Sequence, residues 1–436
     1  MAVTLLAFVL IALELCAVTA LVAPRAPLQH STSTLRTSIK KLVQKDKIKE
    51  AAARDRARAK ALVKSVTSPP AKFDKNAGQP VGVAIANIVT TYIAAVDVGN
   101  PPTECAYPAV HLRAIGLIGE QISVFLIVDT GSSNTWVGAT TPFEETSTTT
   151  PTGDEVFVQY GSGFFFGDEV IDTVDFGGPL VIPQQSIGTA VFSDGFQGVD
   201  GIVGIGPTGL TAGTVDNEGT IPTVTDNLFA LGIIPDPVVS VFFAPTNDTF
   251  DVNGELVFGG IDPGAFTGDL TVFPLTTTFP SSEFFGVDAS FVQSGATILD
   301  SAGIVDTGTT LVLLADDAFE TYLATTGAVI DNNVGLFTVT PEQFATLPTL
   351  DVVLSGVTFP LTPDAQRLPA QLVPAFGGDP DLVYLIVSNI GSDSGSGFDF
   401  VLGQFFLERF YSVFDSRGGG AVAFAPTVFT NAVVNN

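Results

Sequence analysis

The residues that could do chemistry sit in two copies of one short phrase. These are Leu126-Ile127-Val128-Asp129-Thr130-Gly131-Ser132-Ser133 and Gly303-Ile304-Val305-Asp306-Thr307-Gly308-Thr309-Thr310, whose acids lie 177 positions apart. Two carboxylates brought together can divide acid and base roles, because like charges a few ångströms apart do not both ionise freely. One proton is shared. The ionised member can then take a proton from a water held between the pair while the protonated member polarises an amide carbonyl, with no metal and no covalent intermediate. A single Asp-Thr-Gly is weak, since Asp and Gly are ordinary turn residues. Two copies embedded alike are far more specific.

Such a pair must be held by rigid elements. Each acid follows an apolar, β-branched run, which reads as a buried strand with the carboxylate at the tip. Beyond residue 80 the chain continues as short Val, Ile, Phe and Thr runs broken by Gly, Pro, Asn and Asp, the texture of a mainly β, mostly antiparallel protein. Two helices are expected, over 223–232 and over 315–326, the latter capped by Asp316 or Asp317. Asn247-Asp248-Thr249 is a glycosylation sequon, and the Thr-rich 146–152 and Gly-rich 391–397 read as surface loops.

At 436 residues and 46% apolar, the chain is long enough for two lobes with a substantial core. Its formal net charge of −27 is unevenly spread. Residues 1–75 hold 14 of the 18 Lys and Arg against five acids, a balance of +9, and the remainder holds only Arg113, Arg367, Arg409 and Arg417 against 40 acids, a balance of −36. So acidic a body repels nucleic acid and anionic membrane, and it is expected to work in acid and to lose stability as pH rises past neutrality. Cys16 falls in the leader and leaves Cys105 alone, so no intrachain disulfide is expected in the mature protein.

The first 20 residues read as a signal peptide: an apolar run over 2–13, then Ala17-Val18-Thr19-Ala20. Residues 21–80 read as a basic propeptide, helix-favouring around Lys40 to Lys60, which would mask the acidic face until acid loosens it. Ser68-Pro69-Pro70 and Asn76-Ala77-Gly78 mark the linker where it would be cut. No later stretch is long and uncharged enough to span a bilayer, so a secreted, extracellular, monomeric product without a membrane anchor is expected.

By these residues the chain resembles the pepsin-type aspartic peptidases, and in detail their secreted fungal branch, across 81–436. The acid pair of that family is itself the standard instance of the shared-proton behaviour described above. The resemblance implies a bilobal fold of two pseudo-symmetric β-barrel-like lobes, here 81–265 and 266–436, with a cleft between. It makes Asp129 and Asp306 the catalytic dyad. Thr130 and Thr307 would cross-brace the motifs, Gly131 and Gly308 would let backbone approach the carboxylates, and the hydroxyls of Ser132 and Thr309 would bond their outer oxygens. Val158-Gln159-Tyr160-Gly161-Ser162-Gly163 resembles the hairpin flap, with Tyr160 at its lip, Gly161 and Ser162 in its turn, and Trp136 pairing its indole N–H with the phenol. Phe164, Phe165 and Leu311 would contribute to apolar pockets. The strands over 200–206 and 400–407 would thread beneath the catalytic loops, and 256–262 would mark the crossover between lobes. The implied partners are a polypeptide substrate and the chain's own propeptide as intramolecular inhibitor, with no cofactor and no metal.

Three points stand against a simple reading. Asp300, in Ile298-Leu299-Asp300-Ser301, lacks the following Thr-Gly and reads as a loop residue outside the dyad. Residues of about 105–123 separate the Gly99-Asn100-Pro101-Pro102 turn from the first catalytic strand, an insertion that fits either a true surface loop or translated intron in a mis-set gene model. Sequencing the transcript decides between them. Two rival functions remain: a catalytically inactive binding protein on the same fold, and a two-carboxylate glycosidase, which has no need of duplicated Asp-Thr-Gly.

Overall fold

The computed structural model describes residues 47–63, 81–87, 90–100, 124–160, 163–249 and 251–433. The signal peptide, most of the propeptide, its linker, the 105–123 insertion, Gly161 and Ser162 lie outside the described residues.

The first described element is the helix α1 (Lys47–Leu62), whose run of alanines favours that conformation. Ala52, Ala59 and Leu62 bury themselves in the main core. The chain then forms β1 (Val81–Asn87), β2 (Tyr92–Val98), β3 (Val124–Asp129), β4 (Trp136–Val137), β5 (Thr150–Tyr160), β6 (Gly163–Asp175), β7 (Val181–Asp194), β8 (Gly201–Gly204), β9 (Val238–Phe242) and β10 (Asp251–Phe258). These strands belong to one 13-stranded sheet that ends at β5 and also takes in Thr271–Pro274, Phe410–Asp415 and Ala421–Pro426 from the C-terminal half. A seven-stranded sheet and a three-stranded sheet complete the mainly β, bilobal architecture.

The two acid-bearing strands are built alike. β3 runs parallel to β8, pairing Leu126 with Gly201 and Asp129 with Gly204. The strand ending at Val305 runs parallel to Phe400–Leu402, pairing Ile304 with Val401 and Val305 with Leu402. β4 returns antiparallel on β8 and parallel on β7. Likewise Val312–Leu314 returns antiparallel on Phe400–Leu402 and parallel on Val387–Asn389. The sequence repeat is therefore a structural repeat, in which each loop rests on a buried apolar strand.

Both expected helices form. Val224–Ala230 starts at a Thr223–Asp226 capping box. Asp316–Thr326 starts differently from expectation: the cap position is Ala315, and neither acid caps it. Asp316 instead accepts from the Gly391 amide at 2.7 Å and Asp317 from the Ser394 hydroxyl at 2.6 Å, so both acids tie down the 391–397 loop. Asp300 also departs from expectation, lying within the strand Ala296–Val305 and not in a loop, where it accepts from Ser290 at 2.6 Å. Among the described residues no helix is long and apolar enough to cross a membrane.

Candidate active site

The parallel strand pairs bring Asp129 and Asp306 to the same place, and both are fully buried. Local chemistry within each motif holds each carboxylate. The Gly131 amide donates to Asp129 Oδ1 at 2.9 Å and the Ser132 hydroxyl to its Oδ2 at 2.5 Å. The second motif repeats this with the Gly308 amide on Asp306 Oδ1 at 2.9 Å and the Thr309 hydroxyl on Oδ2 at 2.6 Å. The glycines are required by space: a Cβ on Gly131 would stand 2.5 Å from Asp306 Oδ1, and one on Gly308 would stand 2.5 Å from Asp129 Oδ1.

The motifs are also tied to each other. The Thr130 amide donates to Thr307 Oγ1 at 2.9 Å and the Thr307 amide to Thr130 Oγ1 at 3.0 Å. Each hydroxyl then donates onward across the pseudo-dyad, Thr130 to the Val305 carbonyl at 3.2 Å and Thr307 to the Val128 carbonyl at 2.8 Å. The expected cross-brace of the threonines is thus made in full, by groups buried where each needs a protein partner.

One cation reaches both acids. Arg58 of α1 places Nη2 at 2.5 Å from Asp129 Oδ1 and 3.1 Å from Asp306 Oδ1, and Nε at 2.6 Å from Asp306 Oδ2. Its side chain is buried, and the two carboxylates outweigh the burial that would otherwise lower its pKa. Burial pushes Asp306 up, but the charge and hydrogen bond of Arg58, with Thr309 and Gly308, hold that carboxyl below its ordinary value. Asp129 goes the other way, raised by burial and by the charge of Asp306. With Arg58 docked, the pair is therefore unequal, Asp306 being the more readily ionised member in that state.

Two further side chains of α1 fix the helix. Asp55 Oδ2 accepts from the amides of Thr310 at 3.0 Å and Leu311 at 2.8 Å. Arg54 Nη2 donates to the Thr90 carbonyl at 3.3 Å and to Thr310 Oγ1 at 3.2 Å. Burial pushes Asp55 up to about 6 against the pull of Arg54 and of the two amides. The sequence marked this stretch as a basic mask without singling out Arg54, Asp55 or Arg58. The signal was present only as spacing, since positions 54 and 58 share one helix face.

Tyr160 ends β5 and Trp136 lies in β4, both buried. Their ring centroids are 6.3 Å apart at 30°; the indole Nε1 lies near enough to offset in part the burial that raises the phenol's pKa, but neither buried atom completes a full hydrogen bond. Packing explains this. Trp136 stacks instead on Phe165 at 4.3 Å and 11°, and Phe196 meets both rings edge-on. Burial, reinforced by the charge of Asp129, raises the phenol pKa above its ordinary value. Phe165 is accordingly a core residue beneath the hairpin, while Leu311 is buried beside Asp55. Asn247 is exposed, in the connection between β9 and β10.

Comparison with known proteins agrees with this geometry. Residues 114–427 match the family model described as eukaryotic aspartyl protease. Polyporopepsin of Irpex lacteus is 47% identical over 357 residues, covering 81% of this chain and 99% of that protein. Gastricsin of Cavia porcellus is 31% identical, covering 72% of this chain and 80% of that protein. The crystal structure of an aspartic proteinase from Irpex lacteus superposes with a TM-score of 0.76 at 46% identity, covering 82% of this chain and all of that one.

Proposed function

The chain belongs to the eukaryotic aspartyl protease family and is an aspartic endopeptidase; from that premise, we propose that it is made as a secreted zymogen and cleaves polypeptides in acid through Asp129 and Asp306. The observation that carries this reading is the convergence of the two carboxylates, each gripped by its own motif and crossed by the Thr130–Thr307 brace. Once Arg58 has left, one carboxyl of the pair takes a proton from a water held between them while the other donates to the carbonyl oxygen of the scissile amide. The symmetric cradle of amides and hydroxyls keeps both acids oriented while charge moves between them. Tyr160, with Gly161 and Ser162, forms the flap over substrate, and Trp136 supports it.

Arg58 supports the zymogen reading. Its guanidinium touches both acids, so it takes the place of the attacking water while α1 is docked. A helix is also a poor substrate, because its main-chain carbonyls are already bonded within it. The pH dependence follows from the lowered Asp306. The part of that lowering supplied by Arg58 is present only while α1 is docked, so an ionised Asp306 favours docking and the preference fades as falling pH protonates it. Acid therefore loosens the latch. The −36 body and +9 leader push the same way. Secretion, a glycan on exposed Asn247 and a monomeric state complete the reading.

Hydrolysis of a denatured protein between about pH 3 and 5 tests it. A peptidic transition-state analogue should block cleavage, and Asp306→Asn should lower kcat by at least the ~10²- to 10⁴-fold that general acid–base catalysis contributes. Glycan cleavage without proteolysis, or an active Asp306→Asn, would overturn it.

A further inference from the structure

The outer face of the flap hairpin carries an aromatic patch. Along β5 the side chains of Val156, Val158 and Tyr160 point inward and are buried, so Phe157 points outward and is 50% exposed. Register places Phe157 opposite Phe166 of β6, and Phe166 opposite Phe192 of β7, which are 38% and 58% exposed. Phe164 lies between, its ring 6.0 Å from Phe157 and 5.6 Å from Phe192. A bulge in β7 adds Val191, 69% exposed. Four phenylalanines in one cross-strand cluster form a contiguous apolar surface of the kind that marks an interaction site.

Its rim narrows what can bind. Glu155, Asp168 and Asp194 surround the rings and are exposed. None of Arg367, Arg409 and Arg417, the cations of the described body, lies on these strands. An acid-rimmed patch repels an anionic membrane and a second copy of itself, and favours an apolar segment flanked by Lys or Arg. The patch is continuous with the hairpin read above as the lid of the cleft, and the inference rests on that reading.

We propose that this face is an exosite, which holds an apolar, Lys- or Arg-flanked segment of an unfolded polypeptide substrate outside the cleft. Another segment of the same chain then lies beneath the hairpin. Holding a long substrate at two places raises the local concentration of cleavable segments without any change at the dyad. A short peptide that fills only the cleft gains nothing from it.

The test compares two substrates on the processed enzyme: an octapeptide and a denatured polypeptide of more than a hundred residues. The variants are Phe157→Ser/Phe166→Ser/Phe192→Ser and, leaving the hairpin untouched, Phe192→Ser alone. For the triple variant, KM on the long substrate should rise by about tenfold with kcat kept, the scale of losing ring contacts of this size. The single variant should show a smaller rise in the same direction, and kcat/KM on the octapeptide should stay unchanged. The proposal is overturned if both substrates suffer alike in both variants, if neither is affected, or if light scattering shows wild-type dimers that the variants abolish. Octapeptide cleavage by the wild type, with a KM for the long chain that the variants leave unaltered, defeats the exosite alone. Absence of any cleavage by the wild type defeats the endopeptidase reading with it.

Discussion

Thr130 and Thr307 each donate an amide to the other's hydroxyl, at 2.9 and 3.0 Å, although 177 residues separate them. Both are fully buried, so each bond is made where no water can substitute. Thr130→Val keeps the shape but leaves the Thr307 amide without its acceptor. Urea unfolding of the processed enzyme should show a loss of about 1–3 kcal/mol, and kcat should fall by about 10²-fold as the carboxylates lose alignment. Thr130→Ser, which keeps the hydroxyl, should recover most of both.

Asp55 provides a second, independent check on the latch. Its carboxylate takes the Thr310 and Leu311 amides, so Asp55→Ala would leave two donors unpaired and weaken docking by about 1–3 kcal/mol. Alanine is the better helix former, so loss of the helix is not a rival explanation. Asp55→Asn retains an acceptor oxygen and should keep the chain latent. The sign for the wild type runs opposite to that of Asp306. Asp55 is raised to about 6 from 3.8 when docked, so its anchor is strongest below 3.8 and weakens as pH rises through 6. Affinity of the unprocessed chain for a transition-state analogue between pH 4 and 7 reads this: tighter for Asp55→Ala throughout, rising with pH in the wild type as the anchor weakens, and rising less in Asp55→Asn, which does not titrate.

Tyr160 gives a contrast between stability and activity. Its hydroxyl is buried and completes no full hydrogen bond, with Trp136 and Ser132 as its polar neighbours, so removing it costs the fold little. Tyr160→Phe should leave the urea midpoint unchanged or raise stability by up to about 1 kcal/mol. Activity should fall nevertheless, because the hydroxyl lies within reach of the charge of Asp129 and is a polar group that β5 presents towards the dyad. A parallel loss of both would refute this.

What the sequence made legible was whatever a short segment encodes by itself. Asp129, Gly131 and Ser132 contact one another within three residues, so the motif writes its own cradle, and its repetition at Asp306 points to the pairing. The supporting strands were readable for the same reason: 201–204 and 400–402 are apolar throughout, and each runs into a glycine at its end. Arg58 was not readable among fourteen N-terminal cations, because its place depends on how Asp55 docks on Thr310 and Leu311, about 250 residues away. The place of Phe165 was hidden for a similar reason. Strand parity puts it inward, but only the stack on Trp136 shows that inward means core and not pocket. Asp316 offered a helix cap by local rule, and the 391–397 loop claimed its carboxylate instead.

The stability of the body should decline above neutrality through an identifiable group. Glu169, on β6, is 3% exposed; Ser186 donates to its Oε1 at 2.6 Å, while its Oε2 is buried without a partner. Burial, only partly offset by Ser186 and reinforced by the charges of Asp154 and Glu218, pushes its carboxyl up to about 7 from 4.5. The folded state therefore binds this proton more tightly than the unfolded chain does. Its contribution is complete below 4.5 and is lost as pH rises through about 7, after which the fold carries an ionised, half-satisfied carboxylate. The loss amounts to about 3 kcal/mol at its largest, since each tenfold gain in proton affinity on folding is worth about 1.4 kcal/mol. Glu169→Gln removes the ionisation but keeps an acceptor for Ser186. Denaturation of the processed enzyme at pH 4 and pH 8 should show the wild type losing stability across that interval, and the variant losing less by about that amount. Equal losses in the two proteins would assign the neutral-pH instability to the spread of surface acids instead of to this buried one.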